Sequence, residues 1–376
     1  GSAMIIGVNA RFLTKPYTGI GQYTQYLFGE MARQNPDDRF VFVVPEKVEG
    51  DFPANVEIAV VHERLLGTAG MKKTHWEQVK LPRFFKKAGV DVVHYPYPSN
   101  PWKGFSKPVV VTVHDTIPWT IAAYRRSFLT RLYQDRARNA VKRTDMVVTV
   151  SETSKKDIVK VCSVEADDVM VIHNAPPPHF FEYVSEESKK NVLEKYGIDD
   201  SKPFFLYVGG YDERKNVEHV VKSFAKGVAG EHDVQLVLAG GKSLEDQLYK
   251  SFDSIQNKKQ VYMTGFVDEA DMPVLYQAAY GFVNVSRAEG FNLTLVEAAV
   301  SGTPMVVSNI SVHHEVMGDA AIYVDPDDEK GLVDAMVRLV GDTDFYAKWK
   351  ERLEAYNCPY SLEQSAKALK ELYTKL

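Results

Sequence analysis

Short apolar runs rich in β-branched and aromatic residues alternate with helical stretches along the whole sequence, and this alternation constrains the fold most. The runs before the triple proline Pro176–Pro178 are Ile5–Val8, Phe40–Val44, Ile58–Val61, Val92–Tyr95, Val109–Val113, Met146–Val150 and Val169–Ile172. The runs after it are Phe204–Val208, Gln235–Leu238, Val261–Thr264, Gly281–Val285, Met305–Val307 and Ala321–Val324. Such alternation predicts an α/β protein with parallel strands joined by crossover helices.

The triple proline predicts a boundary between two domains. Proline is not accommodated within a helix or a central strand, and a chain of 376 residues favours two domains. We therefore predict a first domain over residues 4–176 and a second over residues 177–360. The amphipathic ending, residues 361–376, is predicted to be helical.

Composition narrows the class of protein. A hydrophobic content of 45% with 25% charged residues is ordinary for a globular protein. No apolar run approaches the roughly 18 residues that span a bilayer, and no signal segment is evident at the start. The only cysteines, Cys162 and Cys358, suit a reducing compartment. These features predict a cytoplasmic protein, and the net charge of −5 argues against a nucleic-acid partner.

Glycines and adjacent cations follow the run Phe204–Val208. Gly209 and Gly210 form a predicted turn, and Arg214 and Lys215 come just after it. Arg214 offers a planar fork of donors and Lys215 a compact charge, so the pair could neutralise a departing diphosphate. A solvated helix start is the alternative for these two residues.

Two glutamates eight positions apart flank the next candidate turn. Glu289 follows the predicted strand Gly281–Val285 and therefore lies beyond its carboxyl end. Open α/β sheets bind ligands at the carboxyl ends of their strands. The amides of residues 291–294 lie near a predicted helix start, which favours an anion. Glu297, about one turn inside, can accept hydrogen bonds from ribose hydroxyls. Taken singly, each glutamate could also be an ordinary loop or first-turn acid.

Taken together, Gly209–Asn216 and Glu289–Glu297 resemble the retaining glycosyltransferases of family 4. The resemblance covers nearly the whole chain. It also includes Gly7–Arg11 with Thr18–Tyr23, then Val111–Asp115, Val150–Ser154 and Val171–Asn174. It implies the GT-B fold, in which two Rossmann-like, doubly wound parallel-sheet domains face a central cleft. It also implies that the final helix crosses back to pack on the first domain.

The resemblance implies an acceptor-binding first domain and a second domain that binds a nucleoside diphosphate sugar. Catalytic roles are implied for Glu289, Lys215, Arg214 and His114. Donor binding is implied for Gly19, Gly21, Gly209, Gly210, Arg214, Lys215, Gly265, Phe266, Glu289, Gly290, Phe291, Asn292, Leu293, Thr294 and Glu297. Arg214 and Lys215 would bind the diphosphate, Glu289 the transferred sugar, Glu297 the ribose, and Gly265 with Phe266 the base.

In the first half, Gly19 and Gly21 lack the third glycine of a dinucleotide fingerprint. The resemblance instead brings the backbone of this loop to the donor phosphates. His114 follows a predicted buried strand, and a histidine in such a position is more often structural than catalytic. The resemblance instead implies that His114 faces the donor sugar and can bond its hydroxyls.

No metal ion and no cofactor is predicted. Asp325 and Asp327 fit an acid-x-acid metal pattern, but a proline turn after a strand explains them. His313, His314 and Glu315 are consecutive, so their side chains point in different directions, and no second ligand cluster accompanies them. No pairing of histidine with serine or cysteine indicates a hydrolytic nucleophile.

The donor and the acceptor stay open. The loop Thr18–Tyr23 with His114 and Asp115 most resembles bacterial mannosyltransferases of surface polysaccharide assembly, which favours GDP-mannose. UDP-glucose and UDP-N-acetylglucosamine are the alternatives within the class. A two-lobed sugar-binding protein without chemistry is the alternative from another class.

Charge differs between the two halves: residues up to Pro176 carry 24 Lys and Arg against 18 Asp and Glu, and the rest carry 21 against 32. Two basic clusters, within residues 72–87 and 125–143, include apolar residues. Such clusters predict either contact with an anionic membrane at its inner face and a lipid-linked saccharide acceptor, or surface helices whose apolar sides face the core.

Overall fold

The structure is a computed structural model that describes residues 3–240 and 258–376. The chain forms two compact units. Unit 1 ends at Ala175 and also includes Tyr360–Leu376, and unit 2 is Pro176–Pro359. The triple proline therefore lies at the first crossing between the units.

Unit 1 contains a seven-stranded parallel sheet with the strand order β3-β2-β1-β4-β5-β6-β7. Its strands are β1 (Ile5–Asn9), β2 (Arg39–Val44), β3 (Val56–Val60), β4 (Val92–Tyr95), β5 (Val109–Thr112), β6 (Met146–Thr149) and β7 (Val169–Val171). Most of these strands are buried along their length, because crossover helices cover a parallel sheet on both faces.

Unit 2 contains a six-stranded parallel sheet with the order β10-β9-β8-β11-β12-β13. Its strands are β8 (Phe204–Val208), β9 (Gln235–Ala239), β10 (Val261–Gly265), β11 (Gly281–Asn284), β12 (Met305–Ser308) and β13 (Ile322–Val324). The order reverses between β8 and β11, the position at which doubly wound sheets bind ligands.

Helices connect the strands of both sheets. In unit 1 they are Gly19–Tyr23, Gly29–Gln34, Ala69–His75, Leu81–Ala88, Ile117–Thr120, Phe128–Val141, Glu152–Cys162 and Leu362–Thr374, with π-helical turns at Thr24–Phe28 and Trp76–Lys80. In unit 2 they are Glu186–Lys195, Val217–Gly227, Met272–Ala278, Leu293–Val300, Ser311–Met317, Glu329–Gly341 and Thr343–Tyr356. No helix in the described part of the chain is both long and apolar enough to cross a bilayer.

The C-terminal helix Leu362–Thr374 packs on unit 1. The Tyr373 hydroxyl lies 2.6 Å from Nδ1 of His94, which is fully buried in strand β4. Lys370 forms an ion pair of 2.7 Å with Asp38, and both side chains are largely buried. The last helix therefore completes the core of the unit that the beginning of the chain forms.

The predicted fold class is confirmed: both sheets are parallel and doubly wound, and every predicted run overlaps a strand. Strand ends differ by one or two residues. Strand β11 stops at Asn284 rather than Val285, because the Asn284 side chain accepts a hydrogen bond from the Ser286 amide and turns the chain there.

Candidate active site

In unit 2, the loops after β8 and β11 meet where the strand order reverses. After β8, Gly209 adopts a φ of +146°, which L side chains rarely adopt. The Tyr207 hydroxyl donates to the Gly210 carbonyl at 2.6 Å and holds this turn closed. A short 3₁₀ turn, Glu213–Lys215, then carries the two predicted cations.

Arg214, Lys215 and Glu289 form one ion cluster at this edge. Arg214 Nη1 donates to both Glu289 oxygens, at 2.7 and 3.0 Å, and to the Ala288 carbonyl at 2.9 Å. Lys215 Nζ also contacts both oxygens, the longer distance being 3.1 Å. The Glu289 side chain is only 5% exposed. The structure thus brings together three of the four residues predicted to be catalytic.

The charge state of Glu289 follows from these contacts. Burial alone would raise the pKa of Glu289, but the charges of Lys215 and Arg214 outweigh it and lower the pKa below its ordinary value. Glu289 is therefore ionised at neutral pH, and it holds both cations at the carboxyl end of the sheet.

The loop from Gly290 to Thr294 is fixed by a buried polar network. Asn292, at a φ of +68°, precedes the helix Leu293–Val300. Its side-chain nitrogen lies 3.2 Å from Asn284 Oδ1 and 2.9 Å from His313 Nε2, and Thr294 Oγ1 donates to its oxygen at 2.5 Å. The Phe291 side chain is buried beside it. The amides of this helix start are thereby held at the same edge as the two cations.

Asn284, His313 and Ser308 support this loop, although none of them is among the predicted site residues. His313 Nδ1 lies 2.9 Å from the Ser308 carbonyl oxygen, which indicates that Nδ1 carries the proton and that Nε2 accepts from Asn292. Burial lowers the pKa of His313 to about 4, so the ring is neutral. Polar residues at the ends of apolar strands were the signal that could have revealed this network.

Glu297 is buried in the first turns of its helix. Burial, with a contribution from the charge of Glu269, raises the pKa of Glu297 to about 8. At neutral pH the carboxyl is therefore mainly protonated, and it can donate as well as accept a hydrogen bond. From the sequence alone, Glu297 is expected only to accept hydrogen bonds.

Gly265 and Phe266 follow β10 in the same unit. Gly265 has a φ of +72°, and its carbonyl accepts from the Gly240 amide at 3.1 Å. The Gly209 amide donates to the Ala239 carbonyl at 3.3 Å, so the loops after β8, β9 and β10 are adjacent. The Phe266 side chain is 52% exposed.

His114 and the glycine loop belong to unit 1. His114 Nε2 donates to the Pro96 carbonyl at 2.8 Å, and burial lowers the pKa of the ring, so Nδ1 is the acceptor of a neutral imidazole. Gly21 is packed inside its own loop, because an added Cβ would lie 2.3 Å from the Lys15 carbonyl oxygen. A Cβ added at Gly19 would have no atom of the described residues outside its own neighbours within 4 Å. The donor contacts proposed for these three residues stay predictions.

No group of three or more His, Cys, Asp or Glu side chains within residues 3–240 and 258–376 is arranged to hold a metal ion. Asp325 accepts from the Asp327 amide at 2.9 Å within its turn, and Asp327 pairs with Arg287 at 2.5 Å. His314 stacks on Tyr323 with ring centroids 3.8 Å apart.

The two doubly wound parallel sheets are those of the GT-B fold, and the ion cluster lies at the switch point of the second sheet. The chain matches the family "Glycosyltransferase Family 4" over residues 17–178 and "Glycosyl transferases group 1" over residues 188–355. The two matches together span most of the chain, so it is a glycosyltransferase built from these two family domains, as the resemblance of its motifs implied.

Individual relatives agree with this assignment. The chain is 26% identical over 363 residues to the O-antigen chain mannosyltransferase RfbU of Salmonella typhimurium, which covers 93% of this chain and 95% of RfbU. Its fold is similar to that of WaaG, a glycosyltransferase involved in lipopolysaccharide biosynthesis (TM-score 0.78, 16% identity, 99% of this chain and 100% of WaaG). It is also similar to Anabaena HepE in complex with UDP and glucose (TM-score 0.76, 15% identity, 100% of both chains).

Proposed function

We propose that this glycosyltransferase moves mannose from GDP-mannose to a saccharide or lipid-linked saccharide acceptor in the assembly of a cell-surface polysaccharide. The reaction retains the α configuration and needs no metal ion. The observation that carries the proposal is the ion cluster of Arg214, Lys215 and Glu289 at the switch point of unit 2.

The ion cluster suits the departure of a nucleoside diphosphate. Arg214 and Lys215 are held by one carboxylate, and the incoming diphosphate competes with Glu289 for their N–H groups. The cations then stabilise the negative charge that develops on the leaving group, which is the part a divalent metal plays elsewhere. Glu289, released from part of its pairing, accepts hydrogen bonds from hydroxyls of the transferred sugar.

The remaining groups complete the proposed donor site. The free amides at the start of the helix Leu293–Val300 can donate hydrogen bonds to the diphosphate. Glu297 hydrogen-bonds the ribose hydroxyls. His114 Nδ1 is an acceptor for a hydroxyl of the donor sugar. In the proposed mechanism the acceptor oxygen attacks the anomeric carbon from the face that the diphosphate leaves, and a diphosphate oxygen takes its proton.

Mannose is the proposed sugar because of the similarity to RfbU, which spans nearly the full length of both chains. The test is calorimetry with GDP-mannose, UDP-glucose, UDP-N-acetylglucosamine, GDP and UDP, each with and without EDTA. We expect EDTA-insensitive binding of GDP and GDP-mannose. Tighter binding of UDP and a UDP-sugar would indicate a UDP-sugar donor instead. If none of the five ligands binds, a sugar-binding protein without chemistry would be favoured.

The configuration of the product is tested separately. Proton NMR of the glycoside formed from GDP-α-mannose should show the α anomer from the first minutes of the reaction. A β product would refute retention while leaving the donor assignment intact.

The two basic clusters of unit 1 differ in the burial of their apolar side chains. In the cluster within residues 72–87, the large apolar side chains Trp76, Leu81 and Phe85 are fully buried, so that cluster is a surface helix facing the core. In the other, Phe128 and Leu129 are 69% and 73% exposed, beside the exposed cations Arg126 and Arg131. We propose that this first turn of the helix Phe128–Val141 contacts an anionic membrane.

Vesicle flotation tests the membrane contact. The chain should float with vesicles rich in phosphatidylglycerol and not with pure phosphatidylcholine, and the double variant Phe128→Ser/Leu129→Ser should lose flotation. Tyr183→Ser removes a side chain of unit 2 that is 89% exposed and serves as the matched control. Equal flotation of the double variant and the wild type would refute the proposal.

A further inference from the structure

Unit 1 has its own switch point, between β1 and β4. The strand order reverses there, and ligands bind outside the carboxyl ends of such a strand pair. Arg11 and Phe12 follow β1 at this edge, and Tyr97 follows β4 by two residues. Arg11 ends the motif Gly7–Arg11, whereas Phe12 and Tyr97 belong to no sequence motif.

Lys73 lies among three aromatic rings at this position. Its Nζ is 5.4 Å from the ring centroid of Tyr133, 5.5 Å from that of Tyr97 and 6.0 Å from that of Phe12. Within the described residues, no carboxylate is within ion-pair distance of it. The rings stabilise the ammonium through cation–π contacts, and its N–H groups remain available to an anion.

Glu77, one turn further along the same helical segment, fixes the rings around Lys73. Its side chain is fully buried, and its two oxygens accept from the hydroxyls of Tyr97 and Tyr133, the latter at 2.6 Å. Because both oxygens are used by phenols, Glu77 orients the rings without pairing directly with the ammonium. Phe12 packs edge-to-face on Tyr97, with centroids 5.0 Å apart.

Arg11 supplies a second cation with unused donor capacity. Its Nη2 is paired with Glu63, its guanidinium lies 5.3 Å from the Trp76 ring centroid, and its side chain is 18% exposed. Its Nη1 is buried and has no hydrogen-bond partner among the described residues. Arg11 directly precedes Phe12, one of the three rings around Lys73.

We propose that these residues, called here the Lys73 cluster, bind the phosphate or diphosphate group of a phosphorylated saccharide acceptor. The cluster consists of Arg11, Phe12, Lys73, Glu77, Tyr97 and Tyr133. An unpaired ammonium and an unpaired guanidinium nitrogen favour an anion, and the aromatic surfaces favour the sugar ring or the first carbons of a lipid attached to it. The proposal rests on the proposed function, since it assigns the acceptor of that reaction to unit 1.

Calorimetry with three probes tests the Lys73 cluster: geranyl diphosphoryl N-acetylglucosamine, free N-acetylglucosamine and inorganic pyrophosphate. We expect the wild type to bind the diphosphate saccharide, and Lys73→Met to weaken this binding at least tenfold. Lys73→Arg should retain it within about threefold, and the matched control Lys72→Met should not change it. Equal binding by the wild type and Lys73→Met, or no binding by the wild type, would overturn the proposal.

The probes and a second variant distinguish this site from the donor site. Lys73→Met should bind GDP as the wild type does, and Lys215→Ala should bind the diphosphate saccharide as the wild type does. Loss of GDP binding in every protein would instead count against the proposed donor site. Pyrophosphate binding as tight as that of the probe would overturn the acceptor assignment, because the cluster would then select a free anion.

Discussion

Replacement of Lys215 by alanine is the sharpest test of the ion cluster. The Lys215 side chain is 18% exposed and faces Glu289, which is 5% exposed, so charges interact there more strongly than in water. At an effective dielectric constant of about 20, a unit charge about 4 Å from a developing negative charge contributes about 4 kcal/mol. Loss of one donor to a transition-state anion costs about 3 to 4 kcal/mol. We therefore expect kcat to fall several hundredfold, at about 1.36 kcal/mol per tenfold.

The Lys215→Ala variant should remain folded. Glu289 keeps its two hydrogen bonds from Arg214 Nη1, so no unpaired buried carboxylate is created. We expect the Tm to stay within a few degrees of the wild type. The matched control is Lys222→Ala, because the Lys222 side chain is 59% exposed and, among the described residues, pairs only with Glu218 on its own helix.

The assay is initial-rate turnover at saturating GDP-mannose, with donor affinity measured by calorimetry and folding by circular dichroism. Wild-type kcat in Lys215→Ala would refute the transition-state role. An equal loss in Lys222→Ala would show that the measured effect is not specific to the cluster.

Two further predictions concern stability. Because burial raises the pKa of Glu297 to about 8 from an ordinary value of 4.5, the folded state binds a proton that the unfolded chain releases, and stability falls as pH rises through this window. Glu297→Gln should remove this fall, so its Tm advantage over the wild type should grow between pH 5 and pH 8; a constant difference would contradict the raised pKa. Gly21→Ala should lower the Tm by about 5 to 10 °C, since its Cβ meets backbone oxygen and overpacking costs about 2 to 3 kcal/mol. Gly19→Ala, in open space two residues away, should not lower it, and equal Tm values for the two variants would refute the packing argument.

The fold was predictable from the sequence because parallel strands covered on both faces are continuous apolar runs. Phe204–Val208 and Val92–Tyr95 were predicted to the residue, and both are buried along nearly their full length. Errors of one or two residues occurred at strand ends, where side-chain hydrogen bonds such as that of Asn284 decide the boundary.

The candidate active site was predictable only in part. Arg214, Lys215 and Glu289 follow neighbouring strands, so strand order alone brings them together. The pKa of Glu297 could not be predicted, since it depends on the depth of burial and on Glu269, 28 positions earlier in the chain. The Lys73 cluster was missed because Phe12, Lys73, Tyr97 and Tyr133 come from four separate segments without a motif.

The packing of Leu362–Thr374 on unit 1 has a consequence for the order of folding during synthesis. The ribosome makes the part of unit 1 that ends at Ala175, and then all of unit 2, before it makes this helix. Until then, His94 lacks the Tyr373 hydroxyl and Asp38 lacks Lys370. Unit 2 can therefore fold first during synthesis, whereas unit 1 can complete its core only after the helix Leu362–Thr374 has been made.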